Sequence, residues 1–157
     1  MVERVEPFEP LPDGTLRWDP NAPEAFLASD DFGRSALALR AHPDDPDQRC
    51  VVLRWDSVRY ALMGPPNDEA LHQHRLYEAG IDSVLWVGVV RDSALLAALR
   101  PTWSAASSSV PVHYVILSKE CVVEVIAASL AVFRVDGRPG DAATSSVART
   151  PDRAARS

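Results

Sequence analysis

Short apolar runs, separated by polar and turn-forming segments, dominate this chain, and most of the runs have the length of a β-strand. Runs of about four to eight residues rich in Val, Ile, Leu and aromatic residues are typical of strands. We predict strands over 35–41, 49–55, 58–63, 83–90, 112–118, 121–127 and 130–135. The range 91–100 predicts the main helix, with Asp92 or Ser93 as its N-cap and Pro101 close to its end.

This pattern predicts an α+β fold. About seven strands and one main helix favour a curled, mostly antiparallel sheet with the helix packed on it. Strands and helices do not alternate along the chain, which argues against a doubly wound α/β fold. The sequence also lacks a glycine-rich phosphate-binding loop, and we therefore expect no nucleotide and no other cofactor.

The two ends of the chain differ in composition from its middle. Residues 1–31 are acidic and rich in proline, which predicts an ordered but irregular arm with one or two helical turns near Pro23. Residues 32–135 form the single α+β domain. Residues 136–157 contain few apolar side chains and predict a disordered tail. Truncation after Val135 should then leave the melting temperature nearly unchanged.

Charge and cysteine content narrow the possible partners. The net charge of -6 is concentrated in residues 1–31, where eight acidic residues stand against two arginines. The nearly neutral central domain offers no basic surface for a phosphate backbone, so we expect no nucleic-acid partner. We see no export signal and no membrane-spanning run, and we expect a cytoplasmic protein without a membrane partner. Cys50 and Cys121 lie in apolar runs, as buried thiols of reducing compartments do.

The last predicted hairpin brings together a histidine and a glutamate. A two-residue turn at 119–120 pairs His113 with Ile126 and makes His113 and Glu124 diagonal neighbours on one otherwise apolar face. An imidazole beside a carboxylate in apolar surroundings is a candidate acid–base pair, because such surroundings shift the pKa values of both groups. The alternative is that Glu124 faces solvent and His113 begins an exposed strand end.

An earlier predicted hairpin, with its turn at Asp56 and Ser57, places Arg54 opposite Arg59. Two arginines paired across strands repel each other unless an anion, a carboxylate or open water lies between them. We therefore name Arg54 and Arg59 as candidate anion-binding residues. The alternative is that both side chains are solvated on the outer face of the sheet.

The segment 64–81, GPPNDEALHQHRLYEAGI, joins two predicted strands and is crowded with titratable side chains. Functional residues often gather on loops held by a rigid frame. We predict that His74 acts together with His113 and Glu124, so that His74 or Asp68 should lie within about 8 Å of His113 or Glu124, beside a concave surface. Further candidate binding residues in this loop are Asn67, Asp68 and Tyr77.

Two partial metal motifs occur in the same loop. Glu69-x-x-His72 has the spacing found in di-iron helical bundles, but such sites require several further helices. His72-x-His74-x-x-x-Glu78 resembles the first half of the cupin metal motif, whereas the second half is missing. We predict no bound metal, and a site of two histidines and a carboxylate for zinc or iron stays the open alternative.

Four short segments, Gly64–Ala70, His74–Tyr77, His113–Tyr114 and Glu124–Ala127, show a further resemblance. Together they resemble a set of small bacterial proteins that have a Gly-Pro-Pro-Asn-Asp-Glu-Ala loop, a following His-x-Leu-Tyr and a late His-Tyr strand leading to Glu-Val-Ile-Ala. The resemblance covers roughly residues 50–135. It implies a shared fold, points to the loop and the late hairpin together, and implies no activity.

Two hypotheses about function follow. The chain has no Gly-x-Ser-x-Gly motif and no activated cysteine, so we first expect a binding or accessory module for a small molecule or a protein partner. The alternative is a small cofactor-independent enzyme in which His74 or His113 is the general base and Glu124 orients it. In that alternative Arg54 or Arg59 would hold an anionic substrate. The sequence names neither the ligand nor the oligomeric state.

Overall fold

The computed structural model describes residues 1–104 and 109–149, and within them the chain forms nine β-strands and two α-helices. The strands are β1 (Arg4–Pro7), β2 (Phe26–Ser29), β3 (Ser35–Leu39), β4 (Cys50–Asp56), β5 (Tyr60–Gly64), β6 (Val87–Arg91), β7 (Val112–Leu117), β8 (Val122–Ala127) and β9 (Ser129–Val135). The helices are α1 (Ala94–Leu99) and α2 (Pro139–Ala148). Short 3-10 helices span Pro12–Gly14, Asp68–Gln73, Ile81–Ser83 and Arg100–Thr102. Neither α1 nor α2 has the length and apolar character needed to span a membrane, and no other α-helix occurs in these residues.

The strands form two antiparallel sheets. The first sheet has five strands in the order β1-β6-β7-β8-β5, and the second has four strands in the order β2-β3-β4-β9. An α+β fold dominated by antiparallel sheet is thereby confirmed. Two sheets take the place of the single curled sheet predicted from the sequence.

The main core lies between the two sheets. Because side chains alternate along each strand, every strand gives one set of residues to this space. The second sheet contributes Leu37, Leu39, Val51, Leu53 and Trp55, and the first contributes Val87, Val89, Tyr114, Ile116, Val123 and Val125. Trp18 from the N-terminal segment is also buried here and packs edge-on against Trp86, with ring centroids 4.8 Å apart.

The outer face of each sheet is covered as well. On the first sheet, Leu76 and Ile81 from the segment after β5 pack against Val90 and Val115. On the second sheet, α2 provides the cover, with Ala142, Ala143 and Val147 packed against Ala36, Ala38, Cys50 and Val52. The molecule therefore has four layers, and the central strands of each sheet are buried on both faces, whereas the edge strands are partly exposed.

The predicted hairpin over 49–63 is wrong. β4 pairs with β3 and β9 in the second sheet, whereas β5 pairs with β8 in the first. The chain crosses between the sheets at Asp56 and Ser57, where Ser57 has a φ of 53° and the Asp56 carbonyl accepts the N–H of Ala128 at 3.1 Å. Arg54 therefore does not face Arg59. The alternating pattern predicted both strands correctly but could not assign them to different sheets.

The N-terminal segment is more regular than predicted. Residues 26–29 form the edge strand β2 and not a helical turn, and β1 forms the edge of the first sheet. Thus residues 1–31 contribute strands to both sheets and belong to the same compact unit as the rest. The paired partners of β1 and β2 lie outside the segment, so its local proline pattern could not indicate them.

The prediction of a disordered tail is wrong for 139–148, because this range is α2. Its buried side chains are small, chiefly alanine and Ser146, which lets the helix lie close to the alanines of β3. The helix packs on the sheet with few large apolar residues, so the composition of residues 136–157 did not indicate it. Truncation after Val135 would remove one of the four layers and should destabilise the protein. Residues 150–157 of the predicted tail lie outside the described residues.

The predicted helix at 91–100 is present as the shorter helix α1, and Ser93 is its N-cap, accepting the N–H of Leu96 at 3.0 Å. The strand predicted over 83–90 starts later, at Val87, because a 3-10 helix occupies Ile81–Ser83. These elements place Ser93 directly beside the late hairpin.

Candidate functional site

The β7–β8 hairpin has the predicted register. His113 lies opposite Ile126, and Val115 lies opposite Glu124. Tyr114 and the other residues of its face enter the main core, so His113 and Glu124 lie on the outer face of the first sheet. Both are buried, with 1% and 6% of their surface exposed. Of the two alternatives, a solvent-facing Glu124 is therefore wrong.

The loop after β5 covers this outer face. Asn67 caps the 3-10 helix Asp68–Gln73 by accepting the N–H of Ala70 at 3.2 Å. The N–H of Asp68 donates to the carbonyl of Lys119 at 2.9 Å, which joins the loop to the turn of the hairpin. Fully buried Leu76 then anchors the loop, and the residues just before it reach Glu124.

Glu124 is the centre of what we call the polar cluster, formed by His74, Arg75, Ser93, His113 and Glu124. His113 Nε2 lies 2.8 Å from Glu124 Oε2, and His74 Nε2 lies 3.4 Å from Glu124 Oε1. Arg75 also donates to Glu124 Oε2. On its other side, His113 Nδ1 lies 2.7 Å from the Ser93 hydroxyl. The predicted proximity of His74 to Glu124 is thus present, whereas none of the five principal cavities of the described residues supplies the concave surface predicted beside them.

The protonation states follow from the surroundings. Burial raises the pKa of Glu124, but the hydrogen bond from His113 and the charge of Arg75 outweigh it and hold this pKa below its ordinary value. A carboxylate only accepts, so Nε2 of His113 carries a proton, and in the neutral ring Nδ1 accepts from Ser93. Burial lowers the pKa of His74 despite the attraction of Glu124. The cluster therefore combines an ionised glutamate with a neutral His74.

The polar cluster also contacts the N-terminal segment, which in turn bonds to the start of α1. Arg75 Nη1 lies 3.6 Å from Glu3 Oε1, and the same oxygen accepts the N–H of Ala94 at 2.9 Å. Both oxygens of Glu124 are engaged, and the five principal cavities of the described residues are lined by other side chains. The polar cluster therefore holds four segments together, namely the N-terminal segment, the loop after β5, the β7–β8 hairpin and the start of α1. The part of it that reaches solvent is the half-exposed Arg75.

The remaining candidates in the loop are dispersed. Asn67 is occupied as a cap, the side chain of Asp68 is exposed, and Tyr77 packs at the edge of the outer core. His72 is exposed, whereas His74 turns inward to Glu124, so the two histidines of the partial cupin motif diverge. Over the residues that the structure describes, no three His, Cys, Asp or Glu side chains are grouped to hold a metal ion.

The two candidate arginines lie in separate places. Arg54 is 5% exposed on the outer face of the second sheet and pairs with Asp56 at 3.2 Å. Arg59 is exposed and lies over the ring of Trp103, with its guanidinium carbon 5.9 Å from the ring centroid. The pairing that made them a joint anion site is therefore wrong, since the two strands belong to different sheets.

A larger opening lies on the opposite side of the first sheet from the polar cluster, and we call it the cleft. It has a volume of about 640 Å³, and its walls come from the segments 21–25, 63–65 and 118–121. Met63 lies opposite Val123, whose side chain belongs to the main core, and Cys121 packs against the same core. The cleft is thus a continuation of the space between the two sheets.

Hydrogen bonds shape the walls of the cleft. Asp19 Oδ1 accepts the N–H groups of Asn21 and Ala22, both at 2.9 Å, and these bonds lower the pKa of Asp19. Cys121 Sγ lies 3.3 Å from the hydroxyl of Ser118 and is partly exposed. Most of the remaining lining is apolar. The walls are therefore fixed by local bonds while the interior stays apolar.

The charged groups of the cleft are carboxylates. Glu24 pairs with Arg40 at 3.2 Å, whereas Glu120 makes no ion pair within the described ranges. No Arg, Lys or His side chain of these ranges lines the cleft. Sequence reasoning missed the cleft because its three walls are far apart in the chain. The available signal was exposed Met63, at the end of an edge strand.

Comparison of the chain with protein-family models, with curated proteins and with solved structures gives no match. The resemblance to small bacterial proteins therefore stays a prediction.

Proposed function

We propose that this protein is a binding module for a small, largely apolar molecule that is neutral or carries a positive charge. The observation that carries the proposal is the cleft of about 640 Å³ between three separate segments. Ligand pockets of proteins have volumes of about 300–1,000 Å³ and a mostly apolar lining with a few polar groups. The cleft meets both criteria.

The charge of the lining supports the choice of ligand. Glu24 and Glu120 both line the cleft, but Glu24 is paired with Arg40, so the negative potential comes mainly from Glu120, which no basic side chain among the described lining residues opposes. A carboxylate about 4 Å from an ammonium group attracts it by roughly 1–4 kcal/mol, depending on exposure. The same charges repel an anion. A ligand with an amine or without charge therefore fits better than a carboxylate or a phosphate.

The polar cluster has a supporting part in this proposal. It holds the loop against the outer face of the first sheet, and the loop in turn bonds to the hairpin turn through Asp68 and Lys119. Two walls of the cleft, 63–65 and 118–121, are the ends of these same segments. His74 and Glu124 would then be positioning residues, because they lie on the other face of the sheet from the ligand.

Titration with 1-naphthylmethylammonium, followed by ligand-observed NMR, tests the proposal. We expect saturable binding to the natural protein and its loss in Ala22→Trp, since Ala22 is exposed on the cleft wall and an indole there would occupy the space. The matched control is Ala97→Trp, which adds the same ring at an exposed position of α1. Equal binding to both variants and the natural protein would contradict the proposal.

A second candidate function is acid–base catalysis on an anionic substrate, and it is favoured by neutral His74 beside ionised Glu124 and half-exposed Arg75. Arg75 would hold the substrate, and His74 would accept a proton at Nδ1 in place of the N–H of Leu76, which donates to this nitrogen at 3.2 Å. Hydrolysis of mono-4-nitrophenyl succinate should then be lost in His74→Gln and kept in His72→Gln, which changes an exposed histidine of the same loop. Hydrolysis no faster than in buffer would eliminate this candidate.

A further inference from the structure

A second cavity, separate from the cleft and from the polar cluster, lies where β5 begins and the segment after α1 ends. Its volume is about 220 Å³, and its lining includes Arg59, Arg100 and Trp103 together with the serines 57 and 104. No carboxylate of the described residues lines it. The cavity therefore collects two positive charges and several hydroxyl groups around a small space.

Both guanidinium groups are without an acidic partner among the residues that the structure describes. Eight other arginines there form ion pairs, and Asp56, which precedes Ser57 in the chain, pairs with Arg54. The protein has 22 acidic residues against 16 basic ones, so acids are not in short supply. Arg17, Arg138 and Arg149 also make no ion pair in the described ranges, but of these five arginines only Arg59 and Arg100 line one of the five principal cavities together.

The side chain of Arg59 is also held in a way that leaves its N–H donors without a partner among residues 1–104 and 109–149. It lies over the ring of Trp103 at 5.9 Å, a contact that uses the charge of the guanidinium and none of its N–H groups. A guanidinium presents five N–H donors in a planar fork that matches the oxygens of a carboxylate or a phosphate. The geometry is therefore prepared for an oxyanion.

We propose that this cavity binds a small oxyanion, a carboxylate or a phosphate monoester, between Arg59 and Arg100, with the apolar part of the ligand near Trp103. A volume of about 220 Å³ equals roughly seven water molecules at about 30 Å³ each. A single-ring compound fits this space. The site takes ligands of the opposite charge from the cleft, and the proposal does not depend on the cleft being occupied.

Calorimetric titration with phenyl phosphate and with benzoate, and with benzyl alcohol as the uncharged analogue, tests the proposal. We expect the two anions to bind and the alcohol not to bind. Phenyl phosphate should bind more tightly than benzoate if the natural ligand carries a phosphate, and less tightly if it carries a carboxylate. Arg59→Gln and Arg100→Gln should each weaken binding of the better anion by about tenfold or more, the loss of one charge-assisted hydrogen bond. Added salt should weaken it as well.

Arg138→Gln is the matched control, because Arg138 is exposed, makes no ion pair in the described residues and lies at another cavity. Its affinity for both anions should equal that of the natural protein. All three variants are changed at exposed positions, so thermal melts should show that they fold. Equal affinity in Arg59→Gln and Arg138→Gln, or binding of benzyl alcohol as tight as that of the anions, would overturn the proposal.

Discussion

At the scale of one residue, Glu124 shows how this protein stabilises a buried charge. The transfer of a carboxylate from water into apolar surroundings is strongly unfavourable unless hydrogen-bond donors replace the lost water. Here His113, His74 and Arg75 replace it, and all three come from segments other than β8. The need to satisfy one side chain thereby ties the hairpin, the loop and α1 together.

Replacing Glu124 by Gln should lower the free energy of unfolding by about 1.5–3 kcal/mol, because the hydrogen bonds to a charged acceptor are lost. Urea denaturation at neutral pH measures the change. Glu120→Gln, at the exposed turn of the same hairpin, should change stability by no more than about 0.5 kcal/mol. If both variants were equally stable, the polar cluster would not fasten the structure.

His74 should make stability depend on pH. Its pKa in the folded protein lies below the ordinary value of 6.5, because burial disfavours the charged ring. The unfolded chain therefore binds the proton more readily, and the stabilisation that is present above pH 6.5 is lost as the pH falls through the folded pKa. Glu124 should cause a further loss of stability at lower pH, because its pKa in the folded protein lies below the ordinary value of 4.5.

Urea denaturation between about pH 7.5 and about pH 5.5 should accordingly show falling stability in the natural protein and a shallower fall in His74→Gln. His72→Gln provides the control, since His72 is exposed on the same loop and its change should leave the slope as it is. A slope in His74→Gln as steep as in the natural protein would show that His74 is not held neutral.

At the scale of elements, the late hairpin was predictable and the early one was not. The turn at 119–120 and the alternation of β7 and β8 determine the register locally, so His113 and Glu124 could be placed from the sequence. β4 instead pairs with β9, a strand about 80 residues later, over the range Cys50–Asp56 to Ser129–Val135. Local patterns carry no information on such distant pairing, and the adjacent strand β5 was wrongly assigned to it.

The helix α2 offers the clearest test at this scale. Val147 is 7% exposed and packs on the outer face of the second sheet. Val147→Asp would bury a charge and should lower the melting temperature by roughly 5–10 °C. Ser145→Asp changes an exposed position of the same helix and should shift it by less than about 2 °C. Equal melting of both variants would mean that α2 does not cover the sheet in solution.

At the scale of the whole molecule, the two sites differ in how far the sequence could indicate them. The polar cluster needs only one hairpin and the loop before it, so its members His74, His113 and Glu124 could be named in advance. The cleft needs 21–25 beside 63–65 and 118–121, a proximity that arises only when two sheets pack. The sequence also carries no distinctive pattern for the hydrogen bonds of Asp19 to Asn21 and Ala22 or for the free thiol of Cys121.

The most direct test of small-molecule binding in the cleft is the rate at which iodoacetamide modifies Cys121, followed by mass spectrometry. Cys121 lines the cleft and is partly exposed, whereas Cys50 is buried with its pKa raised by burial and serves as the internal control. We predict that 1-naphthylmethylammonium slows modification of Cys121 in a saturable manner, that 1-naphthoate does not, and that Ala22→Trp abolishes the effect. An unchanged rate at high concentrations of the amine, or equal protection by the naphthoate anion, would contradict the account.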